Sequence, residues 1–172
     1  QQPNADTFIQ QDKTQTRGTQ ILAIGDIDIL AQNINAEALK VDTTGKLKMS
    51  AADSINLTHG TNTENTFEKT KTIKDNFWNK TVTRTETTTA SQTIEKTTVN
   101  AQEIELIAGT NSELGGILLS GVDLLAEAGI NLTARTEIKT TAAKNVYHQS
   151  VVSKQKTTGF WWEDGLAIGF GV

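Results

Sequence analysis

Acidic side chains at alternate positions are the candidate catalytic residues of this chain, because their type and spacing resemble those of paired catalytic carboxylates. Asp26 and Asp28 form one such pair, and Glu103 and Glu105 form another. Alternate positions of a strand face the same side, so each pair presents two carboxylates together, as glycoside hydrolysis requires. Such enzymes also need basic groups and aromatics that converge in a cleft, whereas these pairs are typical of a solvated face. We therefore predict no enzymatic activity, and a β-helical polysaccharide lyase or hydrolase is the weakest of our hypotheses.

Metal and cofactor sites are not indicated either. The chain has two histidines, His59 and His148, in separate blocks, and it has no cysteine. No further ligands accompany either histidine at a workable spacing, so we interpret both as solvent-exposed residues. The glycines of 165–172 lack the Lys-Ser/Thr ending of a phosphate-binding loop. We predict no metal and no cofactor.

Aromatic residues are few, and two short clusters of them stand out. Phe77 and Trp78 follow a polar run, and Phe160, Trp161 and Trp162 lie near the end of the chain. Tryptophan favours interfaces between water and an apolar phase, so these residues are candidate membrane or partner contacts. We expect Phe77 and Trp78 to be exposed. For the second cluster, a hydrophobic plug over unpaired strand edges is the preferred alternative.

Composition favours extended structure in this 172-residue chain. Threonine is abundant and proline occurs once, at Pro3, so strands are favoured and few positions would interrupt a ladder. The net charge is −4 and no basic patch is present, which argues against nucleic-acid binding. No apolar run approaches the roughly 20 residues of a membrane-spanning helix. Because the chain begins without Met, we expect a piece of a longer protein.

A short apolar–x–apolar pattern recurs along the chain and predicts the fold. Ile27 to Leu47 and Ile104 to Leu124 are each separated by 20 positions, and Ile34 to Ile55 by 21. A coil of three short strands and three turns needs about this many residues, so we predict an all-β parallel β-helix, with a β-sandwich as the alternative. The predicted core consists of Ile27, Ile29, Leu47, Met49, Ile55, Leu57, Ile104, Leu106, Leu124, Ile130 and Leu132.

The predicted organisation has five parts within one solenoid fragment. Residues 61–99 alternate mainly without strong hydrophobes, which predicts a projecting Thr-rich hairpin with its turn near 74–80, or else a disordered segment. The parts are a polar lead-in strand or hairpin at 1–20, a first repeat block at 21–60, the hairpin at 61–99, a second repeat block at 100–134, and a polar strand with a Gly/aromatic tail at 135–172.

The repeat blocks resemble a known family. Residues 25–31 (GDIDILA) and 127–134 (EAGINLTA) are similar to the repeat units of filamentous haemagglutinin-type proteins. The polar run 138–158 followed by Gly159 and the apolar stretch 165–169 resembles the haemagglutinin repeat of the second repeat region of CdiA-type effectors of contact-dependent growth inhibition. The resemblance spans roughly 20–172, and it departs from the usual Ala-Gly-Gly-Asp at 100–103 (NAQE).

The resemblance implies a right-handed parallel β-helix in a secreted filament on the surface of a Gram-negative bacterium. Its parent would be exported through an outer-membrane two-partner secretion transporter. In a growth-inhibition effector, this region would associate with the outer membrane of the target cell and aid toxin delivery. The alternative implied by the same architecture is an adhesin that binds a glycan or protein on the host-cell surface.

Overall fold

The chain is all-β, as predicted. The computed structural model describes residues 4–111, 113–163 and 167–171, and these residues contain strands and turns but no helix. Alternating β-branched and polar residues, with proline absent after Pro3, account for this extended backbone. The strands are β1 (Asn4–Thr14), β2 (Gln20–Ala23), β3 (Ile27–Ala31), β4 (Ile34–Glu37), β5 (Lys40–Thr43), β6 (Lys46–Ala51), β7 (Ile55–Thr58), β8 (Gly60–Asp75), β9 (Asn79–Glu95), β10 (Thr97–Ala108), β11 (Ile117–Ser120), β12 (Val122–Ala134), β13 (Ile138–Thr141), β14 (Val146–Glu163) and β15 (Ala167–Gly171).

The strands form three sheets, which differ in the relative direction of their strands. One sheet has the order β1-β8-β9-β14-β15 and contains antiparallel pairs. The second has the order β2-β5-β10-β6-β3, with β12 also paired to β10, and the third has the order β13-β11-β7-β4. The described strand pairs of the second and third sheets are all parallel.

The chain divides into two compact units. The first, here called the sheet unit, comprises the described residues of Gln1–Thr14, Thr63–Ser91 and Val146–Val172. The second, here called the ladder unit, comprises those of Gln15–Asn62 and Gln92–Asn145. Both units are therefore assembled from segments that are distant in sequence.

The ladder unit repeats a group of three short strands in register. Strands β2, β3 and β4 pair with β5, β6 and β7 respectively. Ile27 pairs with Leu47, and Ile34 pairs with Ile55, so two of the spacings seen in the sequence correspond to real neighbours. Strand β10 then continues both β5 and β6, although β8 and β9 intervene in the chain.

The third predicted spacing is wrong. Ile104 pairs with Ile130, and Leu124 pairs with Val99 instead. A register shift between Ala101 and Glu103 and the long connection 109–116 after β10 add residues that the twenty-residue spacing did not include. The connection 135–137 after β12 is shorter, so β11 and β13 still pair 21 positions apart, beginning with Ile117 and Ile138.

The core lies between the strands of the ladder unit. Predicted core residues on the inner strands are fully buried, namely Leu47, Met49, Ile55, Leu57, Ile104 and Leu106. Those on the outer strands are covered from one side and remain half-buried, namely Ile27, Ile29, Leu124 and Leu132. Ile130 is 42% exposed, so its assignment to the buried core is wrong. The core also includes Val41, Val99, Ile117 and Leu119, which the pattern did not single out.

The sheet unit contains no fully buried side chain among those described. An ion pair joins Lys69 to Glu86 at 2.7 Å, and Ser91 Oγ donates to Glu64 O at 3.5 Å. From the first contact to the second, residue numbers fall along β8 and rise along β9, so the two strands are antiparallel. The Thr-rich segment therefore forms two strands, as predicted. Strands β1 and β14 extend these two into a wider sheet, which the hairpin prediction did not include.

Candidate functional site

The turn between β8 and β9 presents two aromatic residues to solvent. Strand β8 ends at Asp75 and β9 begins at Asn79, and the backbone N–H of Asn76 donates to Asn79 O at 2.8 Å. Asparagine side chains suit such turns because they tolerate unusual backbone angles and bond locally, and Asn76 Nδ2 lies 3.4 Å from Asn79 Oδ1. Because the turn closes between Asn76 and Asn79, Phe77 and Trp78 lie outside the paired strands β8 and β9.

These two rings are exposed and contact each other. Phe77 is 91% exposed and Trp78 is 65% exposed, which agrees with the prediction for this cluster. Their ring centroids are 4.8 Å apart with an interplanar angle of 86°, an edge-to-face contact. Such a contact contributes about 0.5–1.5 kcal/mol, but it covers little of either ring. Most of the apolar area at this turn is therefore available to an external apolar or aromatic-binding partner.

The second aromatic cluster lies in β14, the strand next to β9 in the sheet. Phe160, Trp161 and Trp162 belong to β14, and their backbones pair with Phe170, Gly169 and Ile168 of β15. The orientation of the three side chains lies outside what the structure describes. The plug proposed for this cluster therefore stays a prediction.

The backbone register brings the two aromatic clusters to the same end of the sheet unit. Thr158 Oγ1 donates to Lys80 O at 3.4 Å, and the Thr81 and Thr157 hydroxyl oxygens are 3.2 Å apart. Residue numbers therefore rise along β14 as they fall along β9, and residues 160–163 continue beyond the first residue of β9. The β8–β9 turn lies at that same end. We call residues 76–78 and 160–162 together the aromatic end.

Three of the four acidic residues singled out from the sequence, Asp26, Glu103 and Glu105, contact a lysine side chain or a backbone N–H. Lys46 Nζ lies 3.1 Å from Glu103 and 2.8 Å from Glu105, and Lys48 Nζ lies 3.8 Å from Glu105. Asp26 Oδ1 accepts a hydrogen bond from Lys46 N at 2.8 Å. These contacts link neighbouring strands along the outer face of the ladder unit.

Ionisation of this cluster follows from the same contacts. Hydrogen bonding to Lys46 lowers the pKa of Glu105, and hydrogen bonding to Glu105, then to Glu103, raises the pKa of Lys46. A general acid needs a raised carboxyl pKa, so the shift at Glu105 is opposite to the one that acid catalysis requires. The arrangement matches the solvated ionic face that we expected from the sequence.

The histidines occupy different surroundings. His148 is exposed, as predicted, whereas His59 is half-buried, with Nδ1 3.2 Å from Ser120 O. The exposed position expected for His59 is therefore wrong, because Ser120 of the paired strand β11 lies next to the turn that carries it. Within the described ranges, no group of three or more His, Asp or Glu residues is arranged to hold a metal ion.

A groove of about 330 Å³ in the ladder unit, lined by both polar and apolar residues, was not foreseen. Its walls combine Asn56, Glu137 and Lys139 with the apolar Leu114 and Leu118. These residues come from three parallel strands and the connections beside them. No local sequence pattern indicates the groove, because it depends on the register between distant strands.

Comparison with known proteins adds no relative. No protein-family model, curated protein or solved structure matches this chain. In the part of the chain that the structure describes, no helix is long and apolar enough to cross a membrane.

Proposed function

We propose that this chain is a non-enzymatic structural and delivery segment of a secreted exoprotein of the haemagglutinin-repeat, CdiA type. In this proposal the ladder unit is a stretch of right-handed parallel β-helix, and the sheet unit carries the surface that meets a target membrane. The observation that supports it most is the repeated register, in which three successive strands pair in order with the next three.

The β-helix part of the proposal follows from how such strands must connect. Parallel neighbours need a crossover, and crossovers between parallel strands are right-handed in about 98% of cases. Here the crossover from β3 to β6 contains β4 and β5, each of which pairs in its own parallel ladder. A chain that advances by one coil every 20 or 21 residues gives a rigid spacer, because each coil is hydrogen-bonded to the next.

The delivery part of the proposal depends on the aromatic end. Phe77 and Trp78 are exposed on a tight turn, where an apolar phase could cover them without disturbing a core. Covering apolar surface stabilises by about 25 cal/mol per Å², so two largely exposed rings provide a useful contact with a membrane interface. The implied partners are the outer membrane of a target cell and, for the parent protein, an outer-membrane two-partner secretion transporter.

Vesicle flotation tests the delivery role directly. The full chain is mixed with vesicles of phosphatidylethanolamine, phosphatidylglycerol and lipopolysaccharide, and the bound fraction is measured. We expect the double variant Phe77→Ser, Trp78→Ser to lose most binding. Leu30→Ser is the matched control, because Leu30 is 81% exposed but lies in the ladder unit. Binding that is absent in the natural chain, or equal in both variants, would contradict this role.

An adhesin is the second candidate, and the exposed ring pair favours it as well. Sugar rings stack on exposed aromatic faces, and the groove beside Asn56, Glu137 and Lys139 offers polar groups of the kind that bind hydroxyls. Attachment of the chain to host cells, with and without the two ring substitutions, separates the candidates. If the chain is an adhesin, the two ring substitutions should abolish its attachment to host cells, whether or not the natural chain binds the vesicles.

A further inference from the structure

Among the described residues, the parallel ladders of the ladder unit end in strands that have no outer neighbour. On one side the described ladders end at β2, β3 and β4, and on the other they end at β12 and β13. We call these the first edge and the last edge. Each edge presents backbone N–H and C=O groups that no further described strand pairs, and such edges readily pair with another chain.

Inward-facing residues keep the same character from one edge to the other. Their columns of paired residues are Ile27-Leu47-Ile104-Ile130, Ile29-Met49-Leu106-Leu132, Ala31-Ala51-Ala108-Ala134 and Ile34-Ile55-Ile117-Ile138. The last edge therefore presents residue types that match those of the inner strands. A first edge placed on it would meet the same types of residue, at the same register positions, that it meets within its own chain. A further set of strands in the same direction would continue each column without a change of residue type.

Two outward-facing leucines reinforce this match. Leu22, Asp42, Asn100 and Leu125 form one column, so Leu22 and Leu125 hold the same register position on opposite edges. Leu22 is 68% exposed and Leu125 is 60% exposed. Placing the last edge of one copy on the first edge of another would set these leucines against each other.

Charges on the two edges are compatible as well. In the same alignment, Asp123 would face Gln20, and Asn131 would face Asp28. Lys139 would face Asn35, two positions from Glu37. None of these register positions would bring like charges opposite each other, which would otherwise oppose the pairing.

We propose that the partner of each edge is the opposite edge of a second copy of this chain, joined head to tail by parallel strand pairing. The contact uses different surfaces on the two copies, so a pair of copies still presents one free edge of each kind and can add further copies in a row. This inference depends on the ladders alone and holds or fails independently of the proposed delivery role.

Sedimentation velocity over a range of concentrations tests the proposal with substitutions at exposed positions. The natural chain is expected to form a series of oligomers that grows with concentration. Leu22→Lys combined with Leu125→Lys puts two ammonium groups at every junction. Each junction also loses the contact of two leucines, so the association constant should fall about tenfold or more. Leu22→Lys combined with Leu125→Glu should restore the series, with a strength that falls as salt is added.

Controls separate this contact from other modes of association. Val151→Lys changes a residue that is 58% exposed in the sheet unit, and it should leave the series unchanged. The Leu22→Lys and Leu125→Lys chains, mixed in equal amounts, contain one natural junction and should accumulate a dimer that neither forms as readily alone. Circular dichroism verifies that every variant keeps its strand content.

Three results would overturn the proposal. The natural chain could stay monomeric at millimolar concentration. The Lys/Glu combination could associate no better than the Lys/Lys combination. A dimer insensitive to Leu22→Lys but lost with Leu125→Lys would instead indicate two last edges meeting each other.

Discussion

The ladder unit and the sheet unit are built from the same kind of alternating strand, but only one of them encloses a core among the described residues. Every fully buried hydrophobic residue, from Ile34 to Leu119, belongs to the ladder unit. In the sheet unit the described side chains are exposed or half-exposed on both faces. Alternation alone therefore specifies a strand, whereas Ile, Leu and Val on one face specify that the strand will be buried.

The residue types explain the difference between the units. Strands β6 and β7 place Leu47, Met49, Ile55 and Leu57 on one face, and each is completely buried. Strand β9 places Thr83, Thr85 and Thr87 on one face and charged residues on the other. Burying a large aliphatic side chain contributes about 1.5–3 kcal/mol, whereas burying a hydroxyl without a partner costs free energy.

Removing a core side chain should give the largest effect and distinguish the units most clearly. Leu106 is completely buried, so Leu106→Ala should lower the free energy of unfolding by about 2–5 kcal/mol. Phe67→Ala is the matched change in the sheet unit, where Phe67 is half-buried, and it should cost clearly less. Urea denaturation followed by circular dichroism measures both. Equal costs would contradict the difference in packing between the units.

A buried hydroxyl should give the next largest effect. Thr97 is completely buried, its Oγ1 accepts from Leu39 N at 3.1 Å, and it donates to Thr58 O at 2.6 Å. Thr97→Val keeps the shape but removes both bonds, so it should destabilise by about 1–3 kcal/mol. Thr87→Val, at a half-buried position of the sheet unit, should have an effect near zero. A neutral Thr97→Val would show that these bonds are not needed.

The ion pairs on the outer face should give the smallest effect, and their stabilisation is lost only at extremes of pH. The pKa of Glu105 is lowered by Lys46, so this stabilisation is present above the ordinary carboxyl pKa of 4.5 and is lost as pH falls through the lower folded value. The pKa of Lys46 is raised above 10.5, so its stabilisation is present below that pH and is lost as pH rises through the folded value.

Urea midpoints measured from pH 3 to pH 11 test this dependence. Glu105→Gln should flatten the acid side of the profile, and Lys46→Met should flatten both sides. In the sheet unit, Lys69 lowers the pKa of Glu86 in the same way, so Glu86→Gln is the comparison on the acid side. A Glu105→Gln profile that still falls as steeply in acid would show that other carboxylates dominate.

Much of the ladder unit could be predicted from the sequence because its signals are local or nearly so. Ile27 with Leu47 and Ile34 with Ile55 are real neighbours, since two short strands and the turns around them separate the members of each pair, and the two spacings are nearly equal. The predicted pairing of Ile104 with Leu124 is wrong because a longer connection changes the register. Nothing in the strand pattern encodes the length of that connection.

The sheet unit and the candidate site were less accessible to sequence reasoning. Exposure of Phe77 and Trp78 followed from their position in a polar turn. Pairing of β8 with β1, and of β9 with β14, joins polar segments that are far apart in the chain and carry no distinctive pattern. The arrival of residues 160–162 at the same end as that turn follows only from this long-range pairing.

Hydrogen exchange of backbone amides tests the contrast between the two units most directly. Amides of β6, β7 and β10, next to Leu47, Leu57 and Leu106, are expected to exchange only through global unfolding. Amides of β8, β9 and β14 within the sheet unit should exchange at least about a hundredfold faster, because local opening exposes little apolar surface. Equal protection in both units would contradict the difference in packing between them, since it would require a core in the sheet unit as well.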